Sequence, residues 1–252
     1  MFANSKKILI LDRVDSTNNY AMALIQKEEM LNIKAVFAMD QTHGKGRRGK
    51  HWKSVKGENI MLSIPLQMHW LPVSQQFHLS VAIALACYDL VSRYAPGHVF
   101  VKWPNDIFIN DSKAGGILIE NIIKGTLWQW TVIGIGLNIN QDEFDNFNHN
   151  ATSLKKVTGK TNNVLELADQ LYSLILNKIE DLKSGHFLKM LKTYNENLFA
   201  KGKYVKLKKK SIVFDTKIIG VSESGQLITK DSFERRFDFD EVEFKGIVDD
   251  SR

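Results

Sequence analysis

The order of hydrophobic and polar positions along this 252-residue chain predicts alternating strands and helices up to about residue 200. Short apolar runs bounded by polar or glycine-containing turns are typical of strands, and apolar positions repeated at helical spacing are typical of helices. The predicted strands cover residues 6–14, 35–40, 59–67, 99–109, 114–123 and 127–140. One predicted helix begins after Ser16, which is its candidate N-cap. Three further helices are predicted over 74–94, 163–184 and 186–199.

The connections between these elements indicate how the strands pair. Short turns at 110–112 and 124–125 separate the last three strands. Such turns join antiparallel neighbours rather than crossover units. Pro104 lies within the run 99–109 and has no N–H to donate, so the strand must bulge or break there. The pattern predicts an α+β fold, with a mixed sheet flanked by helices.

The pattern changes after residue 200, where short β-like runs alternate with glycine-containing turns. We therefore predict a catalytic or binding domain over 1–200 and a small all-β, barrel-like domain over 201–252. The first run, 201–210, holds six lysines. Apolar and polar residues alternate along this run, which predicts a strand with one apolar face and one solvated or partner-facing side.

Composition excludes several classes of protein. Hydrophobic residues make up 44% and charged residues 25%, which is typical of globular proteins and not of disordered or collagen-like chains. The single cysteine, Cys87, excludes a disulfide framework and any zinc site built on paired cysteines. The longest apolar stretch, 79–91, contains Asp89 and is too short to span a membrane. With no targeting segment apparent, we expect a cytoplasmic protein without membrane association.

Positive charge is concentrated in one loop. Lysine and arginine number 34 against 28 acidic residues, a net charge of +6. Residues 44–53, here called the glycine loop, contain no acidic residue. Their basic residues are Lys45, Arg47, Arg48, Lys50 and Lys53, separated by Gly44, Gly46 and Gly49. Glycines allow the backbone to approach a ligand closely, and guanidinium groups bind phosphate in bidentate fashion, so this loop predicts an anionic ligand.

Two familiar phosphate motifs nearly match the glycine loop and are rejected. The spacing satisfies G-x-G-x-x-G, but the next predicted element is a strand, whereas a dinucleotide site needs a helix. It also satisfies G-x-x-x-x-G-K, but His51 stands where magnesium binding requires serine or threonine. A phosphate-binding lid, a nucleic-acid patch and a solvated surface loop remain as interpretations.

Three further motifs place polar residues or glycines inside apolar β runs. They are Lys102–Asp106 (KWPND), 113–118 (KAGGIL) and 134–140 (GIGLNIN). A kinked strand can direct Lys102, Asn105 and Asp106 into a cleft, and a lysine at its mouth can stabilise charge developing on a phosphoryl or carboxyl oxygen. Each motif alone is also compatible with an ordinary strand end or an exposed lysine.

Taken together, these motifs resemble the biotin–protein ligases, also called biotin–[acetyl-CoA-carboxylase] ligases. The matching segments are Ser16-Thr17-Asn18, Gln41, 44–52, 102–106, 113–118 and 134–140, in order over about residues 7–200. The resemblance implies a core related to class II aminoacyl-tRNA synthetases. It implies two half-reactions: biotin and ATP with Mg²⁺ give biotinyl-5′-AMP, and a lysine of a biotin carboxyl-carrier domain then takes the biotinyl group.

The resemblance also implies which residues act. Catalytic roles fall to Lys113, Arg47 and Asp106, and Asp106 is the candidate magnesium ligand. The implied biotin-binding residues are Ser16, Thr17, Asn18, Gln41, Lys45, Gly46, Arg47, Lys113, Gly115, Gly116, Gly134 and Ile135. The implied ATP- and adenylate-binding residues are Arg47, Arg48, Lys50, Trp52, Lys102, Asn105, Lys113 and Asn138.

Partners and alternatives follow from the same comparison. Because the pattern begins by residue 7, we expect the ligase-only type, without an N-terminal DNA-binding domain and without DNA as a partner. Members of the family are commonly homodimers when liganded, although no interface is apparent in the sequence. A lipoate-type ligase or transferase on the same core is the alternative function. A nucleic-acid-binding protein, resting on net charge and on 201–210, is the second alternative.

Overall fold

The computed structural model describes residues 8–29, 33–144 and 150–248. Residues 6–7 of the first predicted strand, 145–149 of the predicted loop and 249–252 of the predicted C-terminal domain lie outside them. The strands are β1 (Ile8–Leu11), β2 (Ala35–Ala38), β3 (Asn59–Gln67), β4 (Val99–Lys102), β5 (Asp106–Ile109), β6 (Ser112–Lys124), β7 (Leu127–Asn138), β8 (Tyr204–Lys209), β9 (Ile212–Val221), β10 (Leu227–Lys230), β11 (Glu234–Phe237) and β12 (Glu243–Ile247). The helices are α1 (Thr17–Gln26), α2 (Gln76–Ser92), α3 (Leu154–Thr158), α4 (Val164–Lys183) and α5 (Phe187–Glu196).

The predicted mixed sheet is confirmed. In the described part of the chain, seven strands form one sheet in the order β1-β2-β3-β7-β6-β5-β4. β1 and β2 are parallel and connected through α1, and every other neighbouring pair is antiparallel. The short turns between β5, β6 and β7 therefore make the hairpins that the sequence predicts.

Helices cover both faces of this sheet. α1 packs against the face that carries Val36 and Val132. α2, α4 and α5 pack on the opposite face, which carries Phe37 and Ile133. Adjacent residues of one strand point to opposite faces, so the two sets of contacts separate cleanly. α2 packs against β4, β5 and β6 of the sheet and against both α4 and α5, which explains why it is apolar almost all round.

The predicted single strand 99–109 is two strands in the structure. The chain breaks at Pro104, as its missing N–H requires, and β4 and β5 pair as a hairpin with Lys102 opposite Asp106. The prediction of a break is therefore confirmed, and the prediction of one continuous strand is wrong. α3 was not predicted, because five residues are too few to show a helical period.

The C-terminal segment forms a second sheet, with five antiparallel strands among the described residues in the order β11-β10-β9-β8-β12. The prediction of a barrel-like domain is wrong, because β11 and β12 remain open edges. The chain between these edges does not close the sheet but packs on the first one, with the Phe239 ring 5.5 Å from that of Trp103. Val205 and Leu207 of β8 are buried and Tyr204 is exposed, which confirms the predicted alternation.

One hydrophobic core runs through both sheets. Val205, Leu207 and Ile218 of the second sheet belong to the same buried cluster as the helices of the first. Asn195 of α5 joins the two parts further, because its amide oxygen and nitrogen bond the backbone of Val221 at 2.7 and 3.0 Å. The division at residue 200 stays a prediction. No helix within the described ranges combines the length and apolar character needed to cross a membrane.

Candidate active site

A cavity of about 550 Å³ opens on the α1 face of the large sheet. Its floor is formed by β5, β6 and β7, and its walls by the start of α1, the glycine loop and part of the second sheet. Of the site residues predicted from the sequence, those lining the cavity are Ser16, Thr17, Asn18, Gln41, Lys45, Gly46, Arg47, Arg48, Lys50, Trp52, Lys102, Asn105, Asp106, Lys113, Gly116, Gly134, Ile135 and Asn138. The fold thus brings together segments that are more than 100 residues apart in the chain.

Glycines form the floor because other groups occupy the space above them. Gly116 and Gly136 pair directly across β6 and β7 and face the same side of the sheet. A side chain at Gly136 would meet the Trp52 indole, with Cβ only 2.5 Å from its Cε2. Gly115 is the one predicted site residue outside the cavity lining. Its Cβ position faces Leu137 on the core side, so close packing explains this glycine.

A buried polar cluster closes the α1 end of the cavity. The Thr17 backbone N–H donates to Oε1 of Gln41 at 2.8 Å. The Ser63 hydroxyl lies 2.5 Å from the amide oxygen of Asn18 and 2.8 Å from the Thr17 hydroxyl. Since an amide oxygen only accepts, Ser63 donates to Asn18. Ser16 occupies the predicted N-cap position, but its side chain makes no capping hydrogen bond.

Glu120 links this cluster to the glycine loop. The Asn18 amide nitrogen donates to Glu120 at 2.7 Å, and the Lys45 ammonium lies 3.5 Å from the other carboxylate oxygen. Glu120 lies on β6 opposite Val132, on the face that carries the cavity. The hydrogen bond to Glu120 fixes the orientation of the Asn18 amide, with its nitrogen toward Glu120. It also places one lysine of the loop beside the polar cluster.

The glycine loop is a folded hairpin. The backbone N–H of Trp52 donates to Gly44 at 2.8 Å, and that of Gly46 donates to Lys50 at 2.7 Å. A side chain at Gly44 would lie 2.4 Å from the Trp52 carbonyl oxygen, so this close approach requires glycine. Arg48 and Gly49 both have positive φ at the tip. The glycine loop thus has a defined backbone geometry, although Arg48, Gly49 and Lys50 at its tip are exposed to solvent.

Trp52 lies directly on the glycine floor. Its ring contacts the positions of Gly116 and Gly136, and the Lys113 ammonium lies 6.0 Å from its centroid. Its indole N–H is buried without a hydrogen-bond partner among the described residues. A buried donor without a partner is costly in a folded protein. Its position in the cavity wall makes it available to a ligand acceptor.

Lys113 and Asp106 form the charged centre of the floor. The Lys113 ammonium lies 2.7 Å from a carboxylate oxygen of Asp106, and both side chains are partly exposed to the cavity. Asp106 is paired with Gly116 in the sheet register, which leaves room above it. The Lys113 backbone is held by Asn150 and Thr152, whose backbone groups bond it at 2.6 and 2.9 Å. The ammonium is therefore held in place without being buried.

Lys102 occupies a box of aromatic rings between the two sheets. Its ammonium lies 4.1 Å from the ring centroid of Phe244, 4.4 Å from that of Phe108 and 5.5 Å from that of Phe199. Burial lowers the pKa of Lys102 to about 8, an effect that Asp106 opposes and Lys113 reinforces.

Two asparagines predicted on the nucleotide side are held by the protein itself. The Asn105 amide donates to the Ile117 carbonyl at 2.8 Å and accepts from Arg47 at 3.3 Å. The Asn138 amide donates to the Thr152 carbonyl at 3.0 Å. Both side chains therefore have defined orientations at the edge of the cavity.

Sequence reasoning missed several residues of this site, among them Ser63, Glu120, Asp240 and Phe244. Ser63 is a lone hydroxyl in the apolar run 59–67, which was a usable signal. Glu120 follows the KAGGIL motif in an apolar strand, another usable signal. Asp240 and Phe244 lie in the second sheet region, and nothing in the sequence pairs them with residues 47, 48 and 102.

The donor set limits how a metal can bind. Among the described residues, no group of three or more histidine, cysteine, aspartate or glutamate side chains is placed to hold one. Mg²⁺ bound with a nucleotide takes one or two carboxylates, and phosphates and water supply its other ligands. Asp106 fits that mode as a carboxylate on the cavity floor, and an all-protein metal cage does not fit among the described residues.

Comparison with known proteins gives a family. The model of the Biotin/lipoate A/B protein ligase family matches residues 10–138. The bifunctional ligase/repressor BirA of Salmonella typhimurium is 34% identical over 136 residues, which cover 54% of this chain and 42% of that protein. The biotin--[acetyl-CoA-carboxylase] ligase of Paracoccus denitrificans is 35% identical over 133 residues, which cover 52% of this chain and 53% of that protein. The aligned part thus spans about half or less of these relatives.

Solved structures extend the likeness over nearly the whole fold. The biotin protein ligase of Aquifex aeolicus in complex with biotin and ATP aligns with a TM-score of 0.79 at 24% identity, covering 96% of this chain and 99% of that one. The biotin acetyl coenzyme A carboxylase synthetase of Helicobacter pylori with bound biotinylated ATP aligns with a TM-score of 0.58 at 21% identity, covering 91% of this chain and 99% of that one. From the family match over residues 10–138 and this shared fold, the chain belongs to the biotin/lipoate A/B protein ligase family.

Proposed function

We propose that this protein is a biotin–protein ligase that uses ATP and releases AMP. In the first half-reaction a carboxylate oxygen of biotin attacks the α-phosphorus of ATP, the bond to the β-phosphate breaks, and pyrophosphate leaves. In the second, the amine of a carrier-domain lysine attacks the acyl carbon of biotinyl-5′-AMP. An amide bond forms, the acyl–phosphate bond breaks, and AMP leaves.

The observation that carries this proposal is the layout of the cavity. A buried hydrogen-bonding cluster at the α1 end faces a floor of glycines, and positive groups from two elements lie beyond it. The cluster contains Thr17, Asn18 and Ser63, and the positive groups are Arg47 and Lys113. A ligand with a polar ring, an apolar chain and a terminal acyl phosphate matches this sequence of surfaces.

The polar cluster favours biotin over lipoate. A ureido ring has N–H donors and a carbonyl acceptor, whereas a dithiolane ring has neither. An apolar ring would exchange no hydrogen bonds with the polar groups of the cluster, so a site of this kind discriminates against it. The relatives named for biotin ligase activity support the same choice.

Positive charge around the reacting phosphate is the proposed source of catalysis. The attack concentrates negative charge on the α-phosphoryl oxygens, and donors held in advance stabilise it without reorganisation. Lys113 fits this role because Asp106 fixes its ammonium at 2.7 Å while leaving it exposed to the cavity. Arg47 fits the role of retaining the adenylate, since the hairpin fold of the glycine loop holds it over the cavity.

Magnesium enters this scheme with ATP. When bound, it would neutralise phosphate charge, and Asp106, one of the carboxylates that line the cavity, would be available to it. In the second half-reaction Asp106 also lies where it could accept a hydrogen bond from the attacking lysine. A biotin carboxyl-carrier domain is the proposed protein partner. The buried thiol of Cys87 suits the cytoplasm as the proposed location.

A nucleic-acid-binding function is less well supported, because two of the six lysines of the segment 201–210 form ion pairs within the second sheet region. Lys206 pairs with Asp215 at 2.9 Å, and Lys209 pairs with Glu241 at 2.9 Å. In the glycine loop, Arg48 turns toward the second sheet. Nucleic-acid binding sites present rows of unneutralised cations along one face.

Purified protein with biotin, ATP and Mg²⁺ tests the proposal. We expect biotin-dependent exchange of pyrophosphate into ATP and labelling of a carrier domain, with no competition from excess lipoate. Transfer of lipoate in place of biotin would assign the protein to the lipoate branch. Failure with both acids, together with salt-sensitive DNA binding, would overturn the ligase assignment.

A further inference from the structure

The turn between β11 and β12 reaches across to the glycine loop through one carboxylate. A side-chain oxygen of Asp240 lies 3.1 Å from Arg47 and 2.9 Å from Arg48. Arg48 also donates to the Asp240 backbone carbonyl at 2.6 Å. Two arginines of the loop thus converge on a single residue of the second sheet region, 192 and 193 positions away in the chain.

The backbone of Asp240 gives an independent reason to assign it a role. Its φ of 73° lies in the left-handed region, where residues other than glycine are uncommon. Aspartate tolerates this conformation better than most residues, but glycine adopts it without steric cost. Backbone geometry alone would therefore favour glycine here, and the structure has a side chain that binds two cations instead.

Neighbouring residues hold this turn against the loop. The Arg47 guanidinium lies 5.6 Å from the centroid of the Phe239 ring, and that ring packs against Phe77. Glu243 is also close to the loop. The hydrogen bond from Lys245 lowers the pKa of Glu243, and the positive charges of Lys208 and Lys50 lower it further. The contact between turn and loop is thus apolar as well as ionic.

Arg47 keeps hydrogen-bond donors beyond those that bind Asp240. A guanidinium group has five N–H donors. Within the described residues, Arg47 gives one terminal nitrogen to Asn105 and the other to Asp240. Other N–H donors remain and Arg47 lines the cavity, so Arg47 can bind a phosphate oxygen while Asp240 holds it.

We propose that Asp240 is a positioning residue for the glycine loop, holding Arg47 and Arg48 over the cavity before substrates arrive. The second sheet region then contributes a functional residue, Asp240, to the wall of the nucleotide site. This inference rests on the proposed function for the identity of the phosphate ligand. If Asp240 instead competed with phosphate for Arg47, its removal would raise the affinity for nucleotide rather than lower it.

The test compares Asp240→Gly and Asp240→Asn with a matched control in the full-length protein. Glycine suits the backbone at this position, so Asp240→Gly is expected to fold and to keep the thermal midpoint of the wild type. Asparagine keeps the size and the tolerance of positive φ but removes the charge. Asp215→Asn is the control, because Asp215 makes an exposed ion pair with Lys206 in the second sheet.

Two measurements are made on each variant. Trypsin cleavage within 44–53 reports the order of the loop in the free protein and needs no substrate. We expect Asp240→Gly to be cleaved about tenfold faster and to show an ATP KM about tenfold higher, the size expected for two exposed ion pairs and a hydrogen bond. The biotin KM should stay within about twofold, Asp240→Asn should lie between Asp240→Gly and wild type, and Asp215→Asn should match wild type.

Each outcome decides one question. Unchanged cleavage and unchanged ATP KM in Asp240→Gly would overturn the positioning role, and so would a lower ATP KM, which would identify Asp240 as a competitor. A general loss of kcat, biotin affinity and thermal midpoint together would reduce Asp240 to a structural residue. Absence of biotin-dependent exchange in the wild type would refute the proposed function, while the trypsin comparison would still test the contact.

Discussion

The amide of Asn18 occupies the space in which a side chain at Gly134 would lie. A Cβ added at Gly134 would come within 2.2 Å of the Asn18 amide oxygen. That oxygen accepts the Ser63 hydrogen bond, and the amide nitrogen of the same side chain donates to Glu120. The glycine on β7 therefore permits the whole buried polar cluster, although it contributes no polar atom to it.

Gly134→Ala is expected to displace Asn18 and to weaken biotin binding more than ATP binding. Overpacking of this kind costs about 1–3 kcal/mol of folding free energy, and we expect the biotin KM to rise about tenfold or more, since about 1.4 kcal/mol corresponds to tenfold. Steady-state KM values for both substrates and a denaturant titration check this. Gly116→Ala is the matched control for folding, because its added Cβ would meet neighbours at an ordinary 3.5 Å.

The double variant Asn18→Ala/Gly134→Ala separates the clash from other effects. Removing the Asn18 amide makes room for the new methyl group, so the stability losses of the two single variants should not add. Fully additive losses would show that the clash between these two side chains is not the cause.

Lys113→Ala is expected to slow the first half-reaction by about two to three orders of magnitude, the usual cost of removing a group that stabilises developing charge. The measurement is biotin-dependent pyrophosphate exchange at saturating substrates. Lys124→Ala, at the exposed far end of the same strand, is the control. A near-normal exchange rate in Lys113→Ala would remove Lys113 from the proposed catalytic groups.

Glu120 is expected to couple the biotin end of the site to the glycine loop. Glu120→Gln keeps an acceptor for Asn18 but loses the charge that pairs with Lys45, so trypsin cleavage of the loop should increase while the biotin KM changes by less than about threefold. Glu120→Ala also removes the bond to the buried Asn18 amide, and its biotin KM should rise about tenfold. Equal biotin KM values in the two variants would contradict the coupling.

Much of the large sheet could be predicted from the sequence because its signals are local. β3 has the predicted bounds, since a continuous apolar run there ends at polar residues on both sides. The hairpins of β5, β6 and β7 follow from short turns, and the break at Pro104 follows from a missing N–H. α3 and the open edges of the second sheet could not be predicted. Five residues show no period, and closure of a sheet depends on packing against distant parts of the chain.

The site was predictable only in part for a similar reason. The motif residues could be predicted because each lies in a short segment with its own local signal. The fold then brings these segments together in one cavity. The residues that hold them are recruited across long separations, as with Asn18 and Glu120, 102 positions apart, or Arg47 and Asp240, 193 apart. A single sequence contains no signal for such pairs. Gly115 is the converse case of a residue with a local signal but no place in the cavity. Its motif predicts a ligand contact, whereas in the structure it packs against Leu137.

The pH dependence of Lys102 gives a test in which ATP affinity and stability move in opposite directions. Burial lowers the pKa of Lys102 to about 8 in the folded protein, whereas an unfolded lysine titrates near about 10.4. Above pH 8 the folded protein loses this charge, so the ATP KM is expected to rise. Between these two pH values the unfolded chain binds more protons, so the contribution of Lys102 to the free energy of unfolding increases as pH rises.

Lys102→Arg removes both trends, because arginine stays charged throughout this pH range and can stack in the same aromatic box. Its ATP KM should therefore stay flat between pH 7 and 10 relative to the wild type, and its relative stability should fall over the same range. ATP KM values and denaturant titrations at each pH give both curves, and groups common to the two proteins cancel in the comparison. Lys206→Arg, an exposed lysine paired with Asp215, should follow the wild type. Parallel curves for wild type and Lys102→Arg would show that the Lys102 charge does not govern nucleotide binding.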